Sequence, residues 1–378
     1  MAVLTEEQTL LRDAARTWTQ AQSPVAKFRA LRDSAAPLRF DPAVYAEMAA
    51  MGWTGVIIAE EYGGSGFGYL GMGLILEQTG RTLTASPLLA SALAAASAII
   101  LGGTEAQKQS RLTAVASGDR IATLAIDEGA HHRPNHVTLT ATRHGAGYRL
   151  TGAKTFVLEG MAADLLVVSA RTAGAAGDTA GISLFLVDAD ARGLTRTALK
   201  LADSRGAANI AFDNVEVGAD ALLGPEGQGW EVLEKTLDRA RAGLAAEMLG
   251  AASQAFETTL DYLKTRVQFG QVIGAFQGLQ HRAVKMFTDL ELARSCVEAA
   301  LEAIDSDADN APELVSLAKA KAGDTLHLVT NEMVQMHGGI GMTDAHDAGL
   351  YLNRARAAEA TFGGGAYHRD RYARMQGY

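Results

Sequence analysis

Hydrophobic residues follow two different periods along this chain, and the period changes twice. Up to about residue 120, apolar side chains repeat at helical spacing, as in Leu10, Leu11, Ala14 and Trp18. From about 120 to 222 apolar and polar positions alternate, which predicts short strands. After residue 224 the helical period returns and is sustained. The pattern therefore predicts a helical, a strand-rich and a second helical segment, in that order.

Individual elements can be placed within the first two segments. Thr5 is a predicted N-cap, and helices are predicted from Val44 to a stop near Gly52 and over about 69–79. Two strands around a glycine turn are predicted within 148–158, and buried strands at 165–169, 182–187 and 209–217. Several short strands with glycine and aspartate turns predict a small barrel or sandwich.

Long amphipathic helices dominate the last segment. An apolar stripe from Trp230 through Leu263 predicts one helix of roughly 35 residues, and further helices are predicted over about 278–303, 312–338 and 347–360. Long helices with short connections predict a bundle of the four-helix type. The predicted fold is α+β, with an N-terminal helical domain (1–120), a central β-barrel domain (121–223) and a C-terminal helical bundle domain (224–378).

Composition excludes several classes of protein. The chain has 378 residues, is 48% hydrophobic and carries a net charge of -9, which is too apolar and too weakly charged for intrinsic disorder. It has no run of Lys and Arg typical of nucleic-acid binding. Its longest apolar stretch, 88–101, is shorter than the ~20 residues of a membrane-spanning helix. With one cysteine, Cys296, and no segment resembling a signal peptide, we expect a soluble, cytoplasmic protein.

Six groups of residues resemble, in order and spacing, motifs of the acyl-CoA dehydrogenase family, and together they cover essentially the whole chain. The resemblance implies an FAD cofactor, an acyl-CoA substrate dehydrogenated between its α and β carbons, and an electron-transfer flavoprotein as acceptor. It also implies a homotetramer, or a heterotetramer with a related dehydrogenase subunit. The groups are 60–64 with 77–81, 103–108 with 117–119, 212–217, 223–229, 266–270 with 277–280, and 335–341.

Residues late in the chain are the candidate contacts of the dinucleotide. A pyrophosphate binds guanidinium and backbone N–H groups, and Arg266 beside Gly270 at a helix end can supply both. Gly338, Gly339 and Gly341 interrupt a helical pattern, where each costs about 1 kcal/mol relative to Ala. They form either a simple helix cap or, as the resemblance implies, a contact with the dinucleotide of a neighbouring subunit. The candidate contacts in this region are Arg266, Gln268, Phe269, Gln277, Gln335, Gly338, Gly339 and Gly364.

The strand-rich segment matches the family only in part. The resemblance places Asp127 where relatives carry a hydroxyl against the flavin ring, and Phe156 where they carry an indole. Phe156 is interpreted either as a wall for the flavin or as ordinary core, and Leu158 cannot donate a hydrogen bond to the ring. Three nearby histidines lack the carboxylate that a catalytic zinc site usually includes, so we predict no metal site. These histidines are His131, His132 and His136.

The catalytic base is the main departure from the family. Removal of the α-proton of an acyl thioester requires a carboxylate whose pKa is raised by burial. The family places this glutamate at one of two positions, which here hold Ala240 and Phe362, or Gly363 if the alignment shifts by one. The substrate contacts that the resemblance implies on the long helix, Asp238 and Arg241, are present.

Three interpretations of the missing glutamate stay open. Another carboxylate can serve, with Glu247 as the candidate base and Asp238 and Glu359 as further possibilities. Alternatively, this chain is a base-lacking, non-catalytic subunit that completes the FAD site of a heteromeric dehydrogenase, as in a bacterial subgroup that it resembles. In the third interpretation the chain catalyses another flavin and acyl-CoA reaction, or only binds.

Overall fold

The computed structural model describes residues 4–34 and 36–378, and their backbone separates into two compact units. The helical unit comprises the residues up to Ala30, Tyr69–Thr84 and Arg241–Tyr378, and the sheet unit comprises Leu31–Gly68 and Ala85–Ala240. Each unit is built from segments that are distant in sequence. The division into domains 1–120, 121–223 and 224–378 therefore stays a prediction.

The α-helices and strands follow the predicted order, and the α+β class is confirmed. The α-helices are α1 (Glu6–Gln22), α2 (Val25–Asp33), α3 (Pro42–Ala50), α4 (Gly68–Arg81), α5 (Ala96–Gly102), α6 (Glu105–Gln107), α7 (Thr113–Ala116), α8 (Gly229–Thr265), α9 (Gln277–Asp305), α10 (Ala311–His337), α11 (Ala348–Ala360) and α12 (Gly365–Met375). The strands are β1 (Ala122–Ala125), β2 (Thr140–His144), β3 (Gly147–Leu158), β4 (Leu165–Arg171), β5 (Ile182–Asp188), β6 (Leu194–Ala198), β7 (Ala207–Val217), β8 (Leu222–Leu223), β9 (Val267–Gln268) and β10 (Gln271–Val272).

Long helices form the helical unit. The predicted helix of the 230–263 stripe is α8, with 37 residues, and Thr5 caps α1 in a capping box with Gln8. In this unit α10 packs against α9, α11 and α12. Helices α4 and α8 approach closely, since a Cβ on Gly250 would lie 1.8 Å from the carbonyl oxygen of Glu77. Helix α12 was not predicted from the pattern. No helix in the described part of the chain combines the length and the apolar character needed to cross a membrane.

One sheet organises the sheet unit. Its strands run in the order β6-β7-β3-β2-β4-β5-β8, with β1 parallel to β4. Among the described residues this path has two ends, so the predicted barrel is an open one. Its core includes Leu139, Leu150 and Phe185. The apolar stretch at 88–101 forms a buried π-helical turn, Leu88–Ala95, followed by α5.

The glycine turn predicted within 148–158 was wrong. This segment is the single strand β3, and Gly152 lies inside it at a φ of +143° with a register shift beside it. A Cβ on Gly152 would lie 2.8 Å from the Cα of Leu139, so the glycine permits a close approach of backbone within the sheet. The chain reverses instead between β2 and β3, at Gly145.

Candidate functional site

The turn between α11 and α12 contains Phe362, one of the two positions at which the family resemblance places the catalytic base. Phe362 and Gly363 adopt left-handed conformations, with φ values of +57° and +100°. The last carbonyls of a helix lack partners within the helix. Here the Lys319 ammonium donates to the carbonyl oxygens of Ala358 at 3.1 Å, Glu359 at 3.2 Å and Gly363 at 3.1 Å. One buried cation on α10 thus joins the end of α11 to the beginning of α12.

Two further nitrogen-bearing side chains are buried around the same turn. Arg241 is 0% exposed, and it donates from Nε to the carbonyl oxygen of Phe362 at 3.3 Å and from Nη2 to the hydroxyl of Tyr367 at 3.0 Å. His368 is also fully buried, and its Nε2 lies 3.2 Å from the same Phe362 carbonyl oxygen. Because a carbonyl only accepts, Nε2 is the donor. Burial, followed by the charges of Arg241 and Lys319, lowers the pKa of His368 to about 2, so the ring is neutral.

A cavity of about 390 Å³ lies between α10, α11 and α12. Within the described residues no side chain caps the N-terminus of α12, which begins after Gly364. Uncapped backbone N–H groups at a helix N-terminus bind anions, and the dipole of the 11-residue helix adds to this attraction. Cationic side chains line the same cavity. Its lining includes Lys319, Gly323, Asp324, His327, Arg356, Glu359, Gly364, Gly365 and Arg369.

Two carboxylates of this cavity are paired with cationic or histidine side chains. Glu359 lies 2.9 Å from Nδ1 of His327 and 3.5 Å from Arg356, while Arg369 pairs with Asp324. A Cβ on Gly364 would meet only the carbonyl oxygen of Glu359, at 3.7 Å. The entrance beside the α12 amides is therefore open to a ligand. Guanidinium groups, open glycines and helix amides are donors suited to the diphosphate of a dinucleotide.

Most of the predicted dinucleotide contacts lie instead where α8 and α10 end. Tyr262 in the last turns of α8 stacks on His337, the last residue of α10, with ring centroids 4.3 Å apart. The hairpin β9-β10 follows α8, and at its turn Phe269 is 90% exposed with a φ of +56°. Helix α10 ends before Gly338, which has a φ of +61°. The glycines therefore end the helix rather than interrupt it.

This region has the open surface expected of a contact with another molecule. An added Cβ would meet nothing within 4 Å at Gly338 or Gly339, whereas at Gly341 it would lie 2.7 Å from the carbonyl oxygen of Val334. The predicted residues Arg266, Gln268, Phe269 and Gln277 follow the end of α8, and Gln335, Gly338 and Gly339 lie at the end of α10, where Tyr262 stacks on His337. Gly364 lies apart from them, beside the middle of α10.

In the sheet unit, Asp127 and Phe156 lie at neighbouring backbone positions. The carbonyl oxygen of Asp127 accepts from the backbone N–H of Thr155 at 2.7 Å. Its carboxylate lies 2.8 Å from Nδ1 of His132 and accepts from the backbone N–H of Arg133 at 3.1 Å. Phe156 is 52% exposed at a φ of +51°, so it is not ordinary core. A half-exposed aromatic ring in a strained conformation is typical of a binding site.

A buried ion pair fixes this loop to the sheet. Lys154 is fully buried, and it donates to Glu128 at 2.7 Å, to the Ile126 carbonyl oxygen at 2.9 Å and to Ser169 at 2.9 Å. Glu128 also accepts from the backbone N–H groups of Thr138 and Leu139. Lys154 and Glu128 are sequence neighbours of Thr155 and Asp127, so the pair holds both segments in register.

The candidate base and substrate contacts are buried. Glu247 is 6% exposed and accepts from Nε and Nη2 of Arg354, at 3.0 and 2.9 Å. The structure therefore gives this carboxylate a buried cationic partner, and its role as the base stays a prediction. Ala240 and Arg241 are 0% exposed and Asp238 is 4% exposed. Arg241 contacts Phe362 and Tyr367, and its contact with an anionic ligand stays a prediction.

Sequence reasoning missed Lys319, His368 and the Lys154–Glu128 pair. For Lys319 a signal was present: it interrupts an alanine-rich stretch and lies next to Ala318, on a face that Val315, Ala322 and Leu326 bury. A lysine next to such a stripe requires buried partners. No spacing rule indicates which partners these are, because they are carbonyls of a turn about 40 residues later.

These features define an α+β protein whose helical unit carries a cavity lined by cationic side chains and helix amides. Models of the acyl-CoA dehydrogenase N-terminal, middle and C-terminal domains match residues 5–119, 123–215 and 227–376. The acyl-CoA dehydrogenase of Bacillus subtilis (strain 168) is 31% identical, and the match covers 94% of each chain. This chain belongs to the acyl-CoA dehydrogenase family.

Solved structures resemble the chain over nearly its full length. One is the Tcur3481-Tcur3483 steroid ACAD, as a variant, with a TM-score of 0.89, 32% identity and 98% of each chain covered. Another is a FAD-dependent dehydrogenase, with a TM-score of 0.89, 26% identity and coverage of 100% of this chain and 99% of that one. The predicted fold, with helical, sheet and helical parts in this order, is confirmed.

Proposed function

We propose that this chain binds FAD and takes part in the α,β-dehydrogenation of an acyl-CoA thioester. The observation that carries the proposal is the cavity at the N-terminus of α12, where the open Gly364, helix amides and cationic side chains converge. Family membership supports FAD as the cofactor, as does the similarity to a FAD-dependent dehydrogenase. When bound, FAD supplies the hydride acceptor.

The roles of the chain's own residues follow from their chemistry. Arg356, Arg369 and the first amides of α12 bind and orient the diphosphate, with Gly364 leaving the entrance open. Phe156 and Asp127 contact the flavin ring, the first through its exposed aromatic face. The exposed ends of α8 and α10, from Arg266 through Gln277 and from Gln335 to Gly339, contact the dinucleotide of a neighbouring subunit.

We further propose that a related subunit supplies the base. The two positions at which the family carries its glutamate hold Ala240 and Phe362, and the candidate substitute, Glu247, is paired with Arg354. Buried nitrogens contact the carbonyl oxygens of the Phe362 turn. Arg241 and His368 contact that of Phe362, and Lys319 contacts that of Gly363. The Tcur3481-Tcur3483 steroid ACAD is named after two polypeptides, which supports a heteromeric assembly for this chain. The word steroid in the same name supports a bulky acyl group as the substrate.

A single-chain enzyme is the second candidate. It is favoured by one observation, namely that the carboxylate of Glu359, three residues before Phe362, lines the cavity beside this turn, where it contacts His327 and Arg356. In that case the assembly is a homotetramer and Glu359 removes the α-proton. In both candidates the electron acceptor that we propose is an electron-transfer flavoprotein.

The test begins with the visible spectrum of the purified chain, which should show the two flavin bands. A Gly364→Leu variant should purify without flavin, because the new side chain fills the cavity entrance while its backbone conformation stays allowed. Gly349→Leu is the matched control, since a Cβ at Gly349 meets nothing within 4 Å and Gly349 is not in the cavity lining. A colourless wild-type protein that cannot be reconstituted with FAD would contradict the proposal.

Anaerobic addition of acyl-CoAs then separates the two candidates. If a related subunit supplies the base, the chain alone leaves the flavin oxidised, and co-expression with a related dehydrogenase restores bleaching. Bleaching by the chain alone, abolished in Glu359→Gln, would favour the single-chain enzyme instead.

A further inference from the structure

Lys319 has an unusual set of partners for a buried lysine. It is 2% exposed and donates to three backbone carbonyls, those of Ala358, Glu359 and Gly363, rather than to a carboxylate. Two of these carbonyls belong to the last turn of α11, and the third belongs to the turn that precedes α12. One ammonium therefore links the end of α11 to the start of α12, beside the contacts that Arg241 and His368 make with the Phe362 carbonyl.

The position of this ammonium bears directly on the cavity. Lys319 is one of its lining residues, and Gly363, whose carbonyl it holds, immediately precedes Gly364 at the start of α12. Gly363 has a φ of +100° and Phe362 a φ of +57°, so the turn depends on contacts from outside it to keep this conformation. The direction of the first α12 amides thus follows from the Lys319 contacts.

Burying the charge of the Lys319 ammonium costs free energy. Burial, followed by the charge of Arg241, lowers the pKa of Lys319 to about 7. An apolar residue of similar volume at such a position is often no less stable than a buried cation. A role in stability alone therefore does not explain a lysine here, whereas a role in orienting the turn does.

We infer that Lys319 is a positioning residue of the dinucleotide site, which holds the α11-α12 turn so that the first amides of α12 face the diphosphate of FAD. This inference rests on the proposed function. It predicts that FAD affinity depends on the charge of Lys319. The ammonium donates hydrogen bonds to three carbonyls of the turn, and it also adds positive charge beside the diphosphate dianion.

The charged groups around Lys319 determine the expected pH dependence. It faces Arg241 of α8, Arg354 and Glu359 of α11, and the neutral ring of His368 on α12. Two of these are guanidinium groups that keep their charge at all working pH values. A dianionic ligand favours the protonated amine, so FAD affinity of the wild-type protein should fall as the pH rises through about 7 and beyond.

The experiment measures FAD binding to flavin-stripped protein by fluorescence quenching between pH 6 and 9. Lys319→Met should weaken FAD binding at pH 6.5 on the order of tenfold, which is the loss of about one hydrogen bond to a charged group, and should lack the wild-type fall above pH 7. Lys319→Arg should restore much of the affinity at pH 6.5 and remove the pH dependence. The matched control is Lys321→Met on the same helix, whose lysine pairs with Asp289 and is not in the cavity lining.

Each outcome decides one question. Equal FAD affinity in Lys319→Met and wild type would overturn the positioning role and leave the proposed function intact. If Lys319→Met does not fold, the wild-type profile alone is decisive, since an affinity that does not fall between pH 6 and 9 also overturns it. Failure of the wild-type protein to bind FAD at any pH would overturn the proposed function, and the positioning role with it.

Discussion

Nε and Nη2 of Arg354 both lie within 3.0 Å of the same carboxylate oxygen of Glu247, and both side chains are about nine-tenths buried. The pair joins α8 to α11 inside the helical unit. Glu247 is therefore part of a buried ion pair that holds these two helices together.

We expect Glu247→Gln to lower stability and to leave any acyl-CoA-dependent bleaching in place. Removing one charge from a buried ion pair leaves the other uncompensated, which typically costs about 3–5 kcal/mol. Urea unfolding of the flavin-stripped protein measures this loss, and an anaerobic assay of the reconstituted assembly measures the bleaching. The exposed pair of Arg374 and Asp370 provides the control, since Asp370→Asn should change the unfolding midpoint little. Complete loss of bleaching in a folded Glu247→Gln protein would restore Glu247 as the base.

Phe156 combines a left-handed backbone with a half-exposed ring. We therefore predict that replacing it changes the affinity for FAD without lowering the stability of the fold. Asparagine adopts the left-handed region more readily than phenylalanine, so Phe156→Asn should leave stability unchanged or raise it by up to about 1 kcal/mol. FAD affinity should fall severalfold, because the flavin ring loses an apolar wall. The measurements are thermal unfolding of the flavin-stripped protein and a titration with FAD.

The control for this prediction is Ser204→Asn. Ser204 has a φ of +57° in the same unit and is not among the predicted flavin contacts, so the same substitution there should affect stability alone. A marked loss of stability in Phe156→Asn with unchanged FAD affinity would show that the ring supports the fold.

The architecture could be predicted from sequence because each element carries a strong local signal. The stripe of α8 extends over about nine turns, and strands such as β4 and β5 are largely apolar runs. The error at 148–158 has a local cause: Gly152 indicates a turn in sequence, but in the sheet it permits contact with Leu139. Helix α12 was missed because its glycine-rich start and many charged residues give no clear apolar face.

The candidate site was harder to predict, because its contacts are made by backbone atoms far apart in sequence. Gly364 was found through the family resemblance, but nothing local shows that it lies at the entrance of a cavity. Arg241 was interpreted as a substrate contact from its position in a motif, whereas its guanidinium donates to Phe362 and Tyr367 more than 100 residues later. Only the folded structure shows which groups of the chain a buried cation contacts.

His368 makes the stability of the helical unit sensitive to acid. Its pKa is about 2 in the folded chain, against 6.5 as the ordinary value, mainly because burial disfavours the charged ring. A depressed folded pKa means that the unfolded chain binds the proton more readily. The stability contributed by the neutral ring is therefore fully present above pH 6.5 and is lost progressively as the pH falls below it. Between pH 6.5 and 5 this loss amounts to about 2 kcal/mol.

Replacing His368 by Gln should remove most of that acid sensitivity, because an amide keeps a donor for the Phe362 carbonyl and does not titrate. The measurement is the urea midpoint of flavin-stripped protein at pH 7.5 and pH 5, with the two proteins compared at each pH. His131→Gln, at an exposed loop histidine, should retain the wild-type difference between the two pH values. If His368→Gln loses as much stability at pH 5 as the wild type does, then the buried ring is not the source of the acid sensitivity, and other groups carry it.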